Sequence, residues 1–187
     1  MSCYLNSGIV SIFQLVYEVK MAQAAKVAGA GKYEQEIVKW REMSYAHAFG
    51  RPKDYKHVGS LPNWVLQYMD RVGVFREHGN NVGGGEEEDV FQDVKRLERG
   101  ETGNAKWDAM QQYLVNTGEL HNNARMTWGK QLVEWGMLAP TTLVHEGTLK
   151  SHAKASQILK TLCFLNDRYA LDGLSPPSYA GLLWCEF

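Results

Sequence analysis

The fold class is decided by residues 105–135, AKWDAMQQYLVNTGELHNNARMTWGKQLVEW, because their apolar side chains recur every three or four positions. That spacing places the apolar side chains on one face of a helix. The stretch predicts two helices, at 105–116 and 119–135, with Asn104 capping the first and Gly118 marking the break between them. The apolar faces consist of Trp107, Met110 and Tyr113 in the first helix and Leu120, Ala124, Trp128, Leu132 and Trp135 in the second.

The same spacing continues along the rest of the chain. Further helices are predicted at 11–28, 33–48, 62–71, 86–98 and 150–170, a last short apolar turn at 179–185, and loops at 78–88 and 136–149. Ser11 is predicted to cap the helix that follows it, Val27 to continue the apolar stripe of that helix, and Trp64 to point inward. No segment alternates convincingly with the period of a strand, so the predicted fold class is all-α, in one domain spanning 1–187.

Composition limits the classes of function. The 187 residues are 44% hydrophobic and 22% charged, enough for a core that needs neither disulfides nor metal. Lys and Arg number 20 against 21 Asp and Glu, a net charge of −1, which excludes a basic field over the whole surface but leaves a local basic groove open. Three cysteines without a close pair predict a reduced, intracellular compartment. No apolar run approaches about 18 residues, so no membrane-spanning helix is expected.

A first candidate ligand surface combines Glu36, Trp40 and Arg41. Glu36 and Trp40 are four positions apart and share a helix face. An indole beside a guanidinium offers a flat, cationic surface that suits aromatic or anionic ligands. The alternative is a surface ion pair beside a core tryptophan, which is a common and weak arrangement.

A second candidate combines Asn122, Arg125 and Met126, which project together at i, i+3 and i+4. An amide, a fixed cation and a soft apolar group form a suitable wall for a polar heteroaromatic ligand. A half-buried arginine needs a carboxylate, and Asp172 is the candidate partner, at a helix exit where Gly173 allows a positive φ. The alternatives are a helix–helix salt bridge for Arg125 and a capping or turn role for Asp172.

Motifs for metal or nucleophilic chemistry are poorly supported. His121 is the only histidine in these stretches, and no paired Cys/His spacing occurs, so no metal site is predicted. The glycines at 83–85 lack the Gly-Lys-Ser/Thr ending of a phosphate-binding loop. Cys163 lies on an apolar helix face and is predicted to be a core residue.

Four stretches, taken together and in chain order, resemble the helical C-terminal, flavin-binding region of the photolyase/cryptochrome family. They are MSCYLNSGIVS, EIVKWREMSYAHAF, the quoted 105–135 stretch and FLNDRYALDGLSPPSYAGLLWC. The resemblance implies a U-shaped FAD held in a helical cluster. It assigns cofactor binding to Ser2, Arg41, Trp107, Asn122, Arg125 and Asp172. It assigns catalytic roles to Trp184, Asn122 and Met126, with Trp184 as the best-placed electron donor to the flavin.

The activity implied by the resemblance is blue-light-driven electron transfer from FAD, either to split pyrimidine dimers in damaged DNA or to sense light. The flavin carries that chemistry, and the protein supplies positioning and electrostatics. The family's N-terminal antenna domain is expected to be absent, and the chain to correspond to the middle of a larger flavoprotein.

Three positions depart from the family pattern, and the departure at Pro177, together with the near-neutral charge and the expected absence of the antenna domain, supports an alternative. Pro177 stands where many members carry an asparagine that faces flavin N5, Ser175 where an aspartate is common, and Ile37 where the tryptophan-arginine helix often has an acid. The alternative is a non-catalytic remnant that has lost FAD and binds protein partners as a structural subunit of a larger assembly. A fragment of a longer photolyase is the third interpretation.

Overall fold

The computed structural model describes residues 2–78, 93–138 and 153–185, and every regular element within these ranges is a helix. The α-helices are α1 (Ser2–Asn6), α2 (Ile12–Ala24), α3 (Ala30–Glu34), α4 (Arg41–Gly50), α5 (Asn63–His78), α6 (Val94–Arg99), α7 (Ala105–Thr117), α8 (Asn122–Leu138), α9 (Ala153–Tyr169) and α10 (Pro176–Cys185). The all-α prediction is therefore confirmed. Most of the loops predicted at 78–88 and 136–149, and the start of the helix predicted at 86–98, lie outside the described residues.

Helix α8 is the centre of the fold, since α5, α7, α9 and α10 all pack against it. Its inward face carries Trp128, Leu132 and Trp135, which are almost completely buried. The apolar spacing in the quoted stretch thus becomes the middle of the core. Within the described residues, no helix combines the length and the apolar character needed to cross a membrane.

Two helix starts and one helix end are set by the predicted residues. The Ser11 hydroxyl accepts a hydrogen bond from the Gln14 N–H at 3.5 Å, and the Asn104 side chain accepts one from the Trp107 N–H at 3.2 Å. Gly118 ends α7 with a φ of 71°, which a residue with a Cβ adopts only at a cost. These helix ends could be predicted from the sequence because each depends on residues within about three positions.

The single helix predicted over 33–48 is interrupted. The chain forms α3, then a π-helical turn over Gln35–Trp40, and then α4. A π turn holds one extra residue, which rotates the side chains that follow around the helix axis. Trp40, at the end of this turn, is 41% exposed. A regular period of 3.6 residues cannot anticipate that insertion.

Two other expectations were wrong. Helix α2 ends at Ala24 because Lys26 adopts a positive φ of 57°, and Val27 consequently lies exposed instead of continuing the apolar stripe. Trp64 is 60% exposed, whereas its neighbour Val65 is buried. One residue advances a helix by about 100°, so only one of two adjacent apolar residues faces the core.

Helix α8 contacts α10 closely at Gly129. A Cβ added at this glycine would collide with the sulfur of Cys185, which is buried. The absence of a side chain at Gly129 therefore sets the distance between the two helices. Gly181, on α10 itself, has open space around its Cβ position.

Gly129→Ala is predicted to lower the free energy of unfolding by about 1–3 kcal/mol, the usual cost of overpacking a core. Chemical denaturation followed by circular dichroism measures this change. Gly181→Ala is the matched control, expected to be neutral or slightly stabilising. The double variant Gly129→Ala/Cys185→Ala removes the obstructing sulfur and is expected to recover part of the loss; no recovery would show that the collision is not the cause.

Candidate functional site

A pocket of about 650 Å³ opens where α7, α8 and α1 meet the turn that follows α9. Its volume lies within the roughly 300–1,000 Å³ common for small-molecule sites. The lining residues are Ser2, Cys3, Ala109, Met110, Tyr113, Gly118, Glu119, Leu120, His121, Asn122, Ala124, Arg125, Leu171 and Asp172. Most of them come from the two family-like stretches around 118–126 and 171–172, so the pocket is the principal candidate site.

The edge of the pocket is closed by a backbone contact between two distant loops. The Leu171 N–H donates to the Gly118 carbonyl at 2.8 Å. The Leu171 side chain packs so closely that a Cβ at Gly118 would lie 2.5 Å from it. Gly118 thus serves both to end α7 and to admit the turn after α9.

The predicted ion pair between Arg125 and Asp172 is present in the pocket wall. The guanidinium Nη2 lies 2.8 Å from Asp172 Oδ1, and the two side chains are only 13% and 15% exposed. Arg125 Nη1 also donates to the Ser178 hydroxyl at 3.2 Å. A pair this sheltered is stable only while both partners remain, because either charge alone would be left poorly solvated.

A buried hydrogen-bond network between α9 and α10 supports the ion pair. The Ser178 hydroxyl donates to Asn166 Oδ1 at 3.0 Å, and Asn166 Nδ2 donates to the Gly173 carbonyl at 3.1 Å. Gly173 does not have the positive φ that was expected of it. Its lack of a side chain matters for another reason, since a Cβ there would lie 2.5 Å from the Asn166 carbonyl oxygen.

Tyr179 extends this network into the core. Its hydroxyl donates to Asp167 Oδ2 at 2.8 Å, and its ring makes an edge contact with Tyr55 at 5.6 Å. Burial, together with the hydrogen bond to Asp167, raises the pKa of Tyr179 well above its usual value. The neutral phenol is therefore the form that the fold stabilises.

The structure brings some of the predicted site residues to the pocket and leaves others away from it. Those that line it are Ser2, Asn122, Arg125 and Asp172. Those that do not are Arg41, Trp107, Met126 and Trp184. Met126 is half-buried, and its carbonyl faces the Cys185 sulfur at 4.0 Å.

Arg41 and Trp184 make contacts of their own. Arg41 Nη1 donates to Asn6 Oδ1 at 2.9 Å, and its guanidinium lies over the Tyr45 ring at 4.6 Å. Trp184 is 52% exposed and meets Trp40 edge to face at 6.5 Å. Instead of forming a flat surface with Arg41, Trp40 therefore pairs with Trp184. This exposed tryptophan pair does not line the pocket.

Trp107 is a core residue within an indole cluster formed by Trp107, Trp128 and Trp135. Its ring stacks on Trp128 at 6.1 Å with an interplanar angle of 10°, and contacts Trp135 at 5.3 Å. Trp107 Nε1 donates to the Trp128 carbonyl, and Trp128 Nε1 donates to Gln111 Oε1. Both buried indole N–H groups are therefore satisfied, as a stable core requires.

Two pocket residues were missed from the sequence. Cys3 Sγ donates to Glu119 Oε1 at 3.3 Å, which joins α1 to the loop before α8. Desolvation and this hydrogen bond raise the pKa of the Cys3 thiol, so it stays protonated near neutral pH. The two residues are 116 positions apart, and no local pattern in the sequence connects them.

Comparison with known proteins agrees with the family predicted from the motifs. No protein-family model matches the chain. The chain is 29% identical, over 99% of its length, to a deoxyribodipyrimidine photo-lyase of Methanothermobacter thermautotrophicus. It is 25% identical to that of Oryza sativa subsp. japonica and 24% identical to that of Potorous tridactylus, over 98% of its length in each case.

These matches, together with the all-α fold, confirm the family resemblance. The chain is related to the photolyases along nearly its whole length. It covers 34%, 31% and 29% of the three relatives, so it spans about a third of their length.

Asp172→Asn is predicted to lower the free energy of unfolding by about 2–4 kcal/mol, because Arg125 would lose its ionic partner in a sheltered position. Urea unfolding measures the change. Asp54→Asn is the matched control: Asp54 pairs with Arg51 at 3.8 Å, but both side chains are nearly half exposed, so a change below about 1 kcal/mol is expected. Equal effects in the two variants would contradict a structural role for the Arg125–Asp172 pair.

Tyr179 is predicted to make the fold sensitive to alkali. The unfolded chain ionises a tyrosine near pH 10, whereas the folded chain resists this, so stability declines as pH rises above about 10. Tyr179→Phe is expected to reduce that decline when urea unfolding at pH about 8 is compared with that at pH about 10.5. Identical pH slopes for the variant and the wild type would contradict the assignment.

Proposed function

We propose that the pocket binds the ring system of a flavin and that the chain forms the flavin-binding part of a photolyase-like protein that transfers electrons under blue light. The observation that carries this proposal is the sheltered Arg125–Asp172 ion pair in the pocket wall. The family resemblance implies such a pair beside the flavin. The relatives' shared name, deoxyribodipyrimidine photo-lyase, supports the same class of activity.

The residues of the pocket fit the ring part of that cofactor. Arg125 and Asp172 offer a donor and an acceptor fixed by the ion pair, and Asn122 adds an amide at the rim. Met110 and Ala124 supply apolar surface and pack against the main core. A bound flavin would supply light absorption and one-electron chemistry, while these side chains bind and orient the ring and exclude water from one side.

The indole cluster is a second candidate for an internal electron donor, in addition to Trp184. The Trp107 ring contacts both of the other rings. The three tryptophans lie on α7 and α8, the helices that also carry Met110 and Ala124. Trp184 is half exposed, and Trp40 is its ring neighbour. Electron transfer between rings becomes slower with distance, and the cluster holds its rings 5.3 and 6.1 Å apart inside the core.

Damaged DNA as a substrate is a further part of this proposal. It rests on the relatives' name, since the net charge of −1 provides no general attraction for a polyanion. Binding of a dimer-containing oligonucleotide, measured at two salt concentrations, and splitting of the dimer under blue light test it directly.

A second candidate function is that of a structural subunit without flavin chemistry. Pro177, in the first turn of α10, carries neither a side-chain amide nor an N–H. In addition, α2 presents Phe13, Tyr17 and Met21 at spacings of four, with exposures of 84%, 59% and 53%. An exposed apolar stripe of this kind is typical of protein–protein contact surfaces. This function predicts stable association with other proteins and no flavin uptake.

Purified protein incubated with flavin is expected to become yellow, and Asp172→Asn is expected to weaken flavin binding about tenfold or more, because Arg125 loses the partner that orients it. Flavin fluorescence quenching measures the affinity, with circular dichroism confirming that the variant is folded. Asp54→Asn is expected to bind like the wild type. Protein that takes up no flavin would contradict the flavin proposal and favour the structural subunit.

A further inference from the structure

The large apolar side chains in the described pocket lining fall into two groups. Met110 and Leu120 pack with the main core, which accounts for their burial. Tyr113 and Leu171 line the same pocket but are 56% and 66% exposed. Core packing does not explain this second pair, which presents uncovered apolar surface to the pocket.

Tyr113 is turned away from the core by its position on α7. Three residues advance an α-helix by about 300°, so each step from Trp107 to Met110 and on to Tyr113 falls about 60° short of a full turn. Burial follows this rotation, since Trp107 is buried, Met110 is half-buried and Tyr113 is exposed. Leu114, seven positions after Trp107, completes almost two turns and is buried again. The apolar face predicted for this helix therefore divides, with Trp107 in the core and Tyr113 in the pocket lining.

The phenol of Tyr113 is not engaged by the described part of the fold. Among the described residues, none forms a hydrogen bond with its hydroxyl or an aromatic contact with its ring. Tyr169 and Tyr179 differ, since their hydroxyls donate to Glu98 and Asp167 at 2.9 and 2.8 Å. Those two phenols stabilise the fold, whereas Tyr113 keeps both its ring and its hydroxyl available to a ligand.

Leu171 is exposed and yet held in place. Its N–H donates to the Gly118 carbonyl at 2.8 Å, and its side chain packs against Gly118 where a Cβ would collide with it. One side of the leucine is thus fixed against the end of α7, and the remainder is uncovered. Asp172 follows directly, so the turn carries this apolar side chain next to the carboxylate that pairs with Arg125. Apolar surface beside a few fixed polar groups is the usual composition of a small-molecule site.

We propose that Tyr113 and Leu171 bind the flavin ring, which stacks on the Tyr113 phenol and contacts the Leu171 side chain. This inference rests on the proposed flavin-binding function and identifies the surface by which the pocket selects a flat aromatic ligand. Stacking favours flat rings because each of them presents a π-face to the phenol. Binding also covers the exposed apolar surface of both side chains, which supplies the hydrophobic part of the affinity.

Riboflavin is the probe that tests this inference, because the flavin is its only ring system. Equilibrium dialysis of the full chain measures its dissociation constant. Tyr113→Ala is expected to weaken riboflavin binding about tenfold, as is typical for the loss of one stacking side chain. Tyr113→Phe retains the ring and is expected to bind riboflavin within about twofold of the wild type. Tyr68→Ala is the matched control and is expected to leave the affinity unchanged, since Tyr68 is 58% exposed on α5 and lies outside the described lining.

Leu171→Ala tests the second contact. It is expected to weaken riboflavin binding about three- to tenfold, because it removes apolar surface that the ring would cover. Leu171→Met keeps most of that surface and is expected to stay within about twofold of the wild type. Leu174→Ala is the matched control, since Leu174 lies in the same turn and is 76% exposed but is outside the described lining. Leu171 also packs against Gly118, so circular dichroism and urea unfolding confirm that each variant is folded.

The outcomes separate this inference from the function on which it rests. Wild-type affinity for riboflavin in Tyr113→Ala would overturn the inference and leave the flavin-binding proposal intact. The same holds if Tyr113→Ala weakens FAD but not riboflavin, which would put the adenine on Tyr113, or if Tyr113→Phe is as weak as Tyr113→Ala, which would assign the effect to the hydroxyl. Failure of the wild type to bind riboflavin or FAD would overturn both proposals.

Discussion

The sheltered ion pair between Arg125 and Asp172 is the interaction on which the site depends. It joins the first turn of α8 to the turn after α9, and through Ser178 it also reaches α10. Two charges at this depth hold each other in one orientation, since separating them would leave each without adequate solvation. Two segments that are 47 positions apart in the sequence are thereby fixed at the pocket and linked to α10.

The support of this pair is continuous with the core. The Asn166 side chain accepts a hydrogen bond from the Ser178 hydroxyl and donates one to the Gly173 carbonyl. One buried amide therefore holds both Ser178, which bonds Arg125, and the turn that carries Asp172. Helix α8 supplies Arg125 on its pocket side and Trp128 on its core side. Since α8 packs against α5, α7, α9 and α10, the helix that carries Arg125 is anchored in the core on several sides.

Two kinds of feature could be predicted from the sequence: helix ends, which depend on residues nearby in the chain, and the pairing of a buried charge with an opposite charge. Asn104 and Gly118 set the ends of α7 through local geometry, and the need of a buried arginine for a carboxylate identified Asp172 correctly. The π turn before α4 was not predictable, because an inserted residue leaves no periodic trace. The contact of Cys3 with Glu119 depends on the tertiary path of the chain, and only the fold reveals it.

The ion pair alone does not distinguish a flavoprotein from a structural remnant, because Arg125 and Asp172 satisfy each other in either case. The pocket is more informative. The cleft of about 650 Å³ is open to solvent and is lined by apolar side chains, among them Met110 and Leu171, beside the polar side chains of Asn122 and Arg125. Gly118 and Gly173 allow close approach of the backbone at the same turn, so the chain can pack tightly there and yet remains open beside Arg125. A cleft of this size is what a flavin-binding function requires and what a structural subunit does not need, so flavin uptake is the property that separates the two functions.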